Sequence, residues 1–318
     1  MTKTESTLEK QSFCLFRIPK EGGRVLWQIT QSCNYSCNYC IFFAEQGIVA
    51  GELTTPEVFE TLNSLKSKKF THLKYTGGEP FVRKDFIDIL AKSAELGFTV
   101  DVSTNGSLIT AAKARMINEY NLRMMHVSVD GHTQQIHESV RGRDTYHRTL
   151  NGIQHLKDNG VYVRIGTVIF KANETHLDQM VQSAASMGAD EIIFSFMEPV
   201  GRLHGNTTQI SSRPIAEVKA ELDEIARQSK TIKVSYSFTE NASFGEGMCP
   251  AVNKFLFIDN VGIVSPCPWV ADKHPKYCSK LTLKNASLQE ILNSEPIRAY
   301  IQELNKNGGQ GCPIRTRC

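Results

Sequence analysis

Long apolar runs are missing from this chain: nowhere do 18 apolar residues follow one another, and the N-terminus, MTKTESTLEKQSF, is polar and mixed in charge. The first absence excludes a transmembrane helix and the second a signal peptide, so a cytoplasmic protein with no membrane partner is expected. Charge of one sign is scarce too. The formal net charge is +3 and no run of five like charges occurs, which argues against nucleic acid as a partner. Disulfides are not expected in a reducing compartment, so nine cysteines in 318 residues read as metal ligands or reactive groups. Cysteine is absent from the whole middle of the chain. Apart from Cys14, one group is Cys33, Cys37 and Cys40, and a second is Cys249, Cys267, Cys278, Cys312 and Cys318. That distribution predicts two sites at the ends of a scaffold.

The scaffold is legible by period. Apolar, β-rich runs recur at Val25 to Ile29, His72 to Tyr75, Phe98 to Ser103, Met124 to Val129, Val161 to Ile169 and Glu191 to Phe196. Between them lie amphipathic stretches, such as Leu150, Ile153 and Leu156 before Gly160. Strands alternating with single helices predict right-handed crossovers and a parallel sheet. Six such units are too few for a closed eight-stranded barrel, so an α/β fold of the partial (β/α)6 TIM-like barrel type is expected, with ligands at the C-terminal strand ends. A doubly wound open sheet is the alternative. The expected division is an N-terminal arm over 1–23, the partial barrel over 24–230 and a small hairpin-and-helix domain over 231–318.

Cys33, Cys37 and Cys40 form a CX3CX2C loop directly after the first strand, QSCNYSCNYCIFF. Zinc would need a fourth ligand, and the next candidate in the sequence is His72. A 4Fe-4S cluster with one open iron needs only three thiolates. The loop, with Tyr39 before its last cysteine, resembles the signature of the radical S-adenosylmethionine (radical SAM) superfamily. That resemblance implies a cluster whose open iron chelates the amino and carboxylate groups of SAM, and reductive cleavage to a 5′-deoxyadenosyl radical, fed by a reductant such as flavodoxin or ferredoxin. TGGEP, with Gly77, Gly78, Glu79 and Pro80, follows the second strand and resembles the family's glycine-rich segment at the SAM amino group; Glu79 is expected to face that ammonium. STNG (Ser103, Asn105) and SVDG (Ser128, Asp130) end the third and fourth strands and match segments that line SAM, although helix caps and turns also account for Asn105 and Asp130. Arg141 resembles an arginine that faces the SAM carboxylate; a solvated loop arginine is the plain alternative.

The stretch from Cys249 to Cys267 reads as a β-hairpin with a thiol at each end, turning at Asp259 to Gly262. It resembles the opening of the SPASM domain and its shortened twitch form. The resemblance implies one auxiliary 4Fe-4S cluster held by Cys249, Cys267, Cys312 and Cys318, with some of these cysteines structural as the alternative. Cys278 is then spare, and in an epimerase it would be the hydrogen donor. The arm before the first strand is shorter than the winged-helix domain that binds leader peptides in many peptide-modifying relatives. A small-molecule oxidation or epimerisation is therefore the first expectation, maturation of a ribosomally made peptide the second, and a non-catalytic iron-sulfur or zinc module the third.

Overall fold

The computed structural model describes residues 22–120, 122–204, 206–237, 249, 251–252 and 254–306. Cys14, Cys312 and Cys318 lie outside the described residues. The strands are β1 (Gly23–Thr30), β2 (Phe70–Gly77), β3 (Thr99–Thr104), β4 (Met124–Ser128), β5 (Val163–Ile169), β6 (Glu191–Phe196), β7 (Lys233–Tyr236), β8 (Phe255–Ile258) and β9 (Val264–Ser265). They form one unclosed nine-stranded sheet in the order β7-β6-β5-β4-β3-β2-β1-β8-β9. Every pairing from β7 to β8 is parallel, and only β8 with β9 is antiparallel. From β1 to β7 the strand order never reverses, which sets aside the doubly wound alternative and agrees with a partial barrel.

The sheet adds two things to the sequence reading. β7, KVSY, is a seventh parallel strand beyond the six expected. The hairpin also does not stand apart from the barrel: β8 pairs with β1, Val25 opposite Leu256. All four residues of β8 are buried, as a strand covered on both faces requires.

Helices α1 (Thr55–Ser67), α2 (Phe86–Glu95), α3 (Ala111–Glu119), α4 (Gln134–Arg141), α5 (Tyr146–Asp158), α6 (Leu177–Ser186) and α7 (Ile215–Gln228) connect the strands, one per crossover except between β4 and β5, where α4 and α5 both lie. α1 starts where Thr54 and Glu57 form a capping box, which satisfies the free amides of its first turn. Its Val58, Leu62 and Leu65 pack in one core with Val25, Trp27, Ile29, Leu73 and Tyr75. Side chains alternate along a strand, so these odd-numbered strand residues face the helices. The even-numbered ones on β1, β2 and β4, such as Gln28, Thr76 and Ser128, face the barrel interior. No helix among the described residues is long and apolar enough to cross a membrane.

Candidate active site

The loop after β1 carries the three cysteines, and its shape is fixed by backbone pairing. Cys33 N donates to Glu45 O at 2.7 Å, and Asn38 N donates to Val140 O at 3.0 Å. Two backbone amides turn toward sulfur: Tyr35 N approaches Cys33 Sγ at 3.3 Å and Ala44 N approaches Cys40 Sγ at 3.4 Å. Arg202, on the turn after β6, donates to Cys37 O at 2.9 Å and to Ala44 O. Its neighbour Gly201 lets the two backbones meet, since a Cβ there would lie 2.4 Å from Cys40 O.

A cavity of about 330 Å3 opens at the C-terminal ends of the strands. Cys33, Cys37, Cys40 and Tyr39 form one wall, and Gly77, Gly78, Ser103, Asn105, Ser128 and Arg141 also line the cavity. Ten residues expected from the sequence thus meet around one space. The sequence reading missed Arg202, Ser195, Met197, Glu198 and Trp269, which also line it. All but Trp269 sit at or just beyond the end of β6, and the strand-end rule applied to β2, β3 and β4 would have found them there.

Four expected residues play other parts. Glu79 does not face the cavity. It is fully buried, and its carboxylate accepts from Phe81 N at 3.1 Å, Thr104 Oγ1 at 2.8 Å and Asn105 N at 2.7 Å. It therefore ties the end of β2 to the end of β3, and burial pushes its carboxyl up to about 7. Pro80 begins the 3-10 turn Pro80–Val82 behind it. Asp130 is buried too, accepting from Tyr39 Oη at 2.5 Å, Arg141 Nε at 2.6 Å and Val168 N at 2.9 Å. It holds two cavity residues in place, because Arg141 also donates to Tyr39 Oη. Burial opposes the charge on Arg141, but Asp130 keeps its guanidinium firmly protonated. Cys278 is absent from the cavity wall. It sits beside Ser265 and Asp259, where burial pushes its thiol up to about 11. The segment carrying it pairs with the sheet edge, Ser279 N donating to Val264 O at 3.2 Å.

The glycines serve packing as well as the cavity. A Cβ on Gly77 would lie 2.2 Å from Thr30 O, and one on Gly78 2.1 Å from Ser32 O. The segment is therefore clamped to the root of the cysteine loop.

The donor set fits a 4Fe-4S cluster. No three His, Cys, Asp or Glu side chains among the described residues are gathered around a single ion, whereas in such a cluster each thiolate binds a different iron. Burial raises the Cys33 thiol to about 12 and also raises Cys37, which Arg141 opposes. Coordination to iron overcomes that penalty by replacing the proton. At the other end, Cys249 and Cys267 pack against one small cluster of Ala251, Val270 and Tyr300, with Cys249 Sγ 3.6 Å from Tyr300 Oη.

Comparison with known proteins agrees with this geometry. Residues 27–184 match the Radical SAM superfamily. The mycofactocin maturase MftC of Mycobacterium tuberculosis is 25% identical over 294 residues, covering 90% of this chain and 74% of that protein. The AdoMet-dependent heme synthase of Methanosarcina barkeri is 25% identical over 269 residues, covering 77% and 76%. Among solved structures, Streptococcus suis SuiB bound to precursor peptide SuiA superposes with a TM-score of 0.72 at 15% identity, covering 90% of this chain and 67% of SuiB. This last likeness concerns the fold.

Proposed function

We propose, from the premise that this chain belongs to the radical SAM superfamily, that it is a maturase acting on a ribosomally made peptide. The observation that carries this reading is the likeness to a mycofactocin maturase over 90% of the chain. It reverses the order expected from the sequence, where a small molecule stood first. Oxidation of a small molecule stays as the second reading, supported by the likeness to a heme synthase over 77% of the chain. Cys278, the hydrogen donor an epimerase would need, does not line this cavity.

Cys33, Cys37 and Cys40 would hold the 4Fe-4S cluster, with SAM at its open iron. When bound, the pair supplies a 5′-deoxyadenosyl radical that removes a hydrogen atom from the substrate. The chain's own residues position and shield. Arg141, braced by Asp130, presents a permanent cation to the SAM carboxylate. Ser103, Asn105 and Ser128 offer hydroxyl and amide groups to the remainder of SAM, and Asn105 is itself fixed by its amide bond to Asn34 Oδ1 at 2.9 Å. Phe42, Phe196, Met197, Val200 and Trp269 give the cavity an apolar side, which keeps water from a reactive carbon. Cys249 and Cys267, with Cys312 and Cys318 from outside the described residues, would hold an auxiliary cluster. Electrons would come from a flavodoxin- or ferredoxin-type donor.

The test is anaerobic incubation of the reconstituted, reduced protein with SAM and peptides encoded beside its gene. The reading expects a mass change in one peptide, matched by 5′-deoxyadenosine release. Turnover of a porphyrin with every such peptide unchanged would favour the second reading.

A further inference from the structure

From Gln31 to Ala50 the chain runs without helix or strand, apart from one bridge between Ser32 and Glu45. Most carbonyls of this loop therefore have no ladder partner and need donors from elsewhere. On the amide side of its middle stands α4, where Asn38 N donates to Val140 O at 3.0 Å. The carbonyl side is met by one residue. Arg202 N donates to Cys40 O at 3.1 Å, its Nη1 donates to Cys37 O at 2.9 Å and its Nη2 to Ala44 O. Two of the three cysteines thus have their own carbonyls fixed by Arg202, and the third carbonyl belongs to the residue whose amide approaches Cys40 Sγ.

The support is firm as well as close. Arg202 lies in the 3-10 turn Gly201–Leu203 after β6. Leu203 is buried in a small core with Val140, Phe170 and Met197, against which Tyr39 of the cysteine loop packs. Gly201 has a φ of +60°, and a Cβ on it would lie 2.5 Å from Ile41 Cα as well as against Cys40 O, so a glycine is needed for the turn to come this near. A guanidinium suits the position, because its planar fork offers two nitrogens to two carbonyls at once, which a single ammonium does not.

We propose that Arg202 is a positioning residue for the first cluster: it holds the CX3CX2C loop in the shape in which Cys37 and Cys40 reach separate irons. The loop's own residues do not supply these bonds, so its ligating shape depends on a turn 165 positions away from Cys37. This rests on the reading that Cys33, Cys37 and Cys40 hold a 4Fe-4S cluster.

The test follows how long that cluster survives. The reconstituted, dithionite-reduced full chain is mixed anaerobically with a ferrous chelator, and aliquots are read for the electron paramagnetic resonance signal that shifts when SAM is added, since only a cluster with an open iron gives that shift. Arg202→Ala should lose the signal about tenfold or more faster than wild type, the range found when groups that orient metal ligands are removed. Arg202→Lys, which keeps the charge without the fork, should decay nearly as fast. Urea midpoints of the metal-free proteins should agree with wild type, because Arg202 lies outside the main apolar core. An Arg202→Ala protein that never forms the signal, with its urea midpoint intact, gives the same result in stronger form. Wild-type decay in either variant overturns the proposal. So does a metal-free Arg202→Ala protein that unfolds at clearly lower urea, because Arg202 would then serve the fold. The two readings fail separately: a wild type that forms no SAM-responsive signal removes the cluster and this proposal with it, whereas variants that behave as wild type remove the role of Arg202 alone.

Discussion

The two faces of one sheet in this protein obey different rules. On the outward face, Val25, Trp27, Leu73, Tyr75, Val100, Val102, Ile192 and Phe194 are buried in a single apolar core with the helices. On the inward face of the same strands stand Arg24, Gln28, His72, Lys74, Asp101, Ser103, Glu191 and Ser195. A parallel strand covered on both sides ordinarily reads as a continuous apolar run. Here many of the alternate positions are polar, beside apolar ones such as Leu26, so the interior differs from the packed core of a closed eight-stranded barrel. It holds ion pairs, a cavity and the cysteine loop. The outward face contributes stability, and the inward face holds the chemistry.

Substitutions can sharpen or break that division. The largest stability loss is expected outward. Phe194→Ala should cost about 3 to 5 kcal/mol, seen as an earlier urea midpoint, with SAM affinity of the folded protein unchanged. Glu79 comes next and cuts across the division, because its buried carboxyl serves the fold at the site. Its folded value of about 7 exceeds the ordinary 4.5, so the folded chain holds that proton more tightly than the unfolded one. The stability it contributes is complete below pH 4.5, declines as pH rises toward 7, and is lost above. That decline is about 3 kcal/mol, and Glu79→Gln should remove it when urea midpoints at pH 5 and pH 8 are compared with wild type. The smallest effect is expected inward. Ser103→Ala should change stability by less than about 0.5 kcal/mol while weakening SAM binding by about 1 kcal/mol, measured by titration calorimetry.

Much of this was legible in the sequence where neighbouring residues encode it. The period placed six strands, and cysteine spacing placed the loop that Cys33, Cys37 and Cys40 share. Contacts between distant residues were not legible. Tyr39 and Asp130 are 91 positions apart and Tyr39 and Arg141 are 102 apart, and no spacing rule links them. The hold on Glu79 was hidden for the same reason: besides the nearby Phe81 N, two donors from the end of β3, Thr104 and Asn105, lie 25 and 26 positions away. β7 escaped because a four-residue strand, KVSY, carries too little alternation.

The most direct test of the account is release of 5′-deoxyadenosine from SAM by reconstituted, dithionite-reduced protein, compared with Cys33→Ala, Cys37→Ala and Cys40→Ala variants. The account predicts release by the wild type and none by any variant, since each loses the thiolate of one iron and the cluster does not assemble. A variant that releases 5′-deoxyadenosine at the wild-type rate would contradict it.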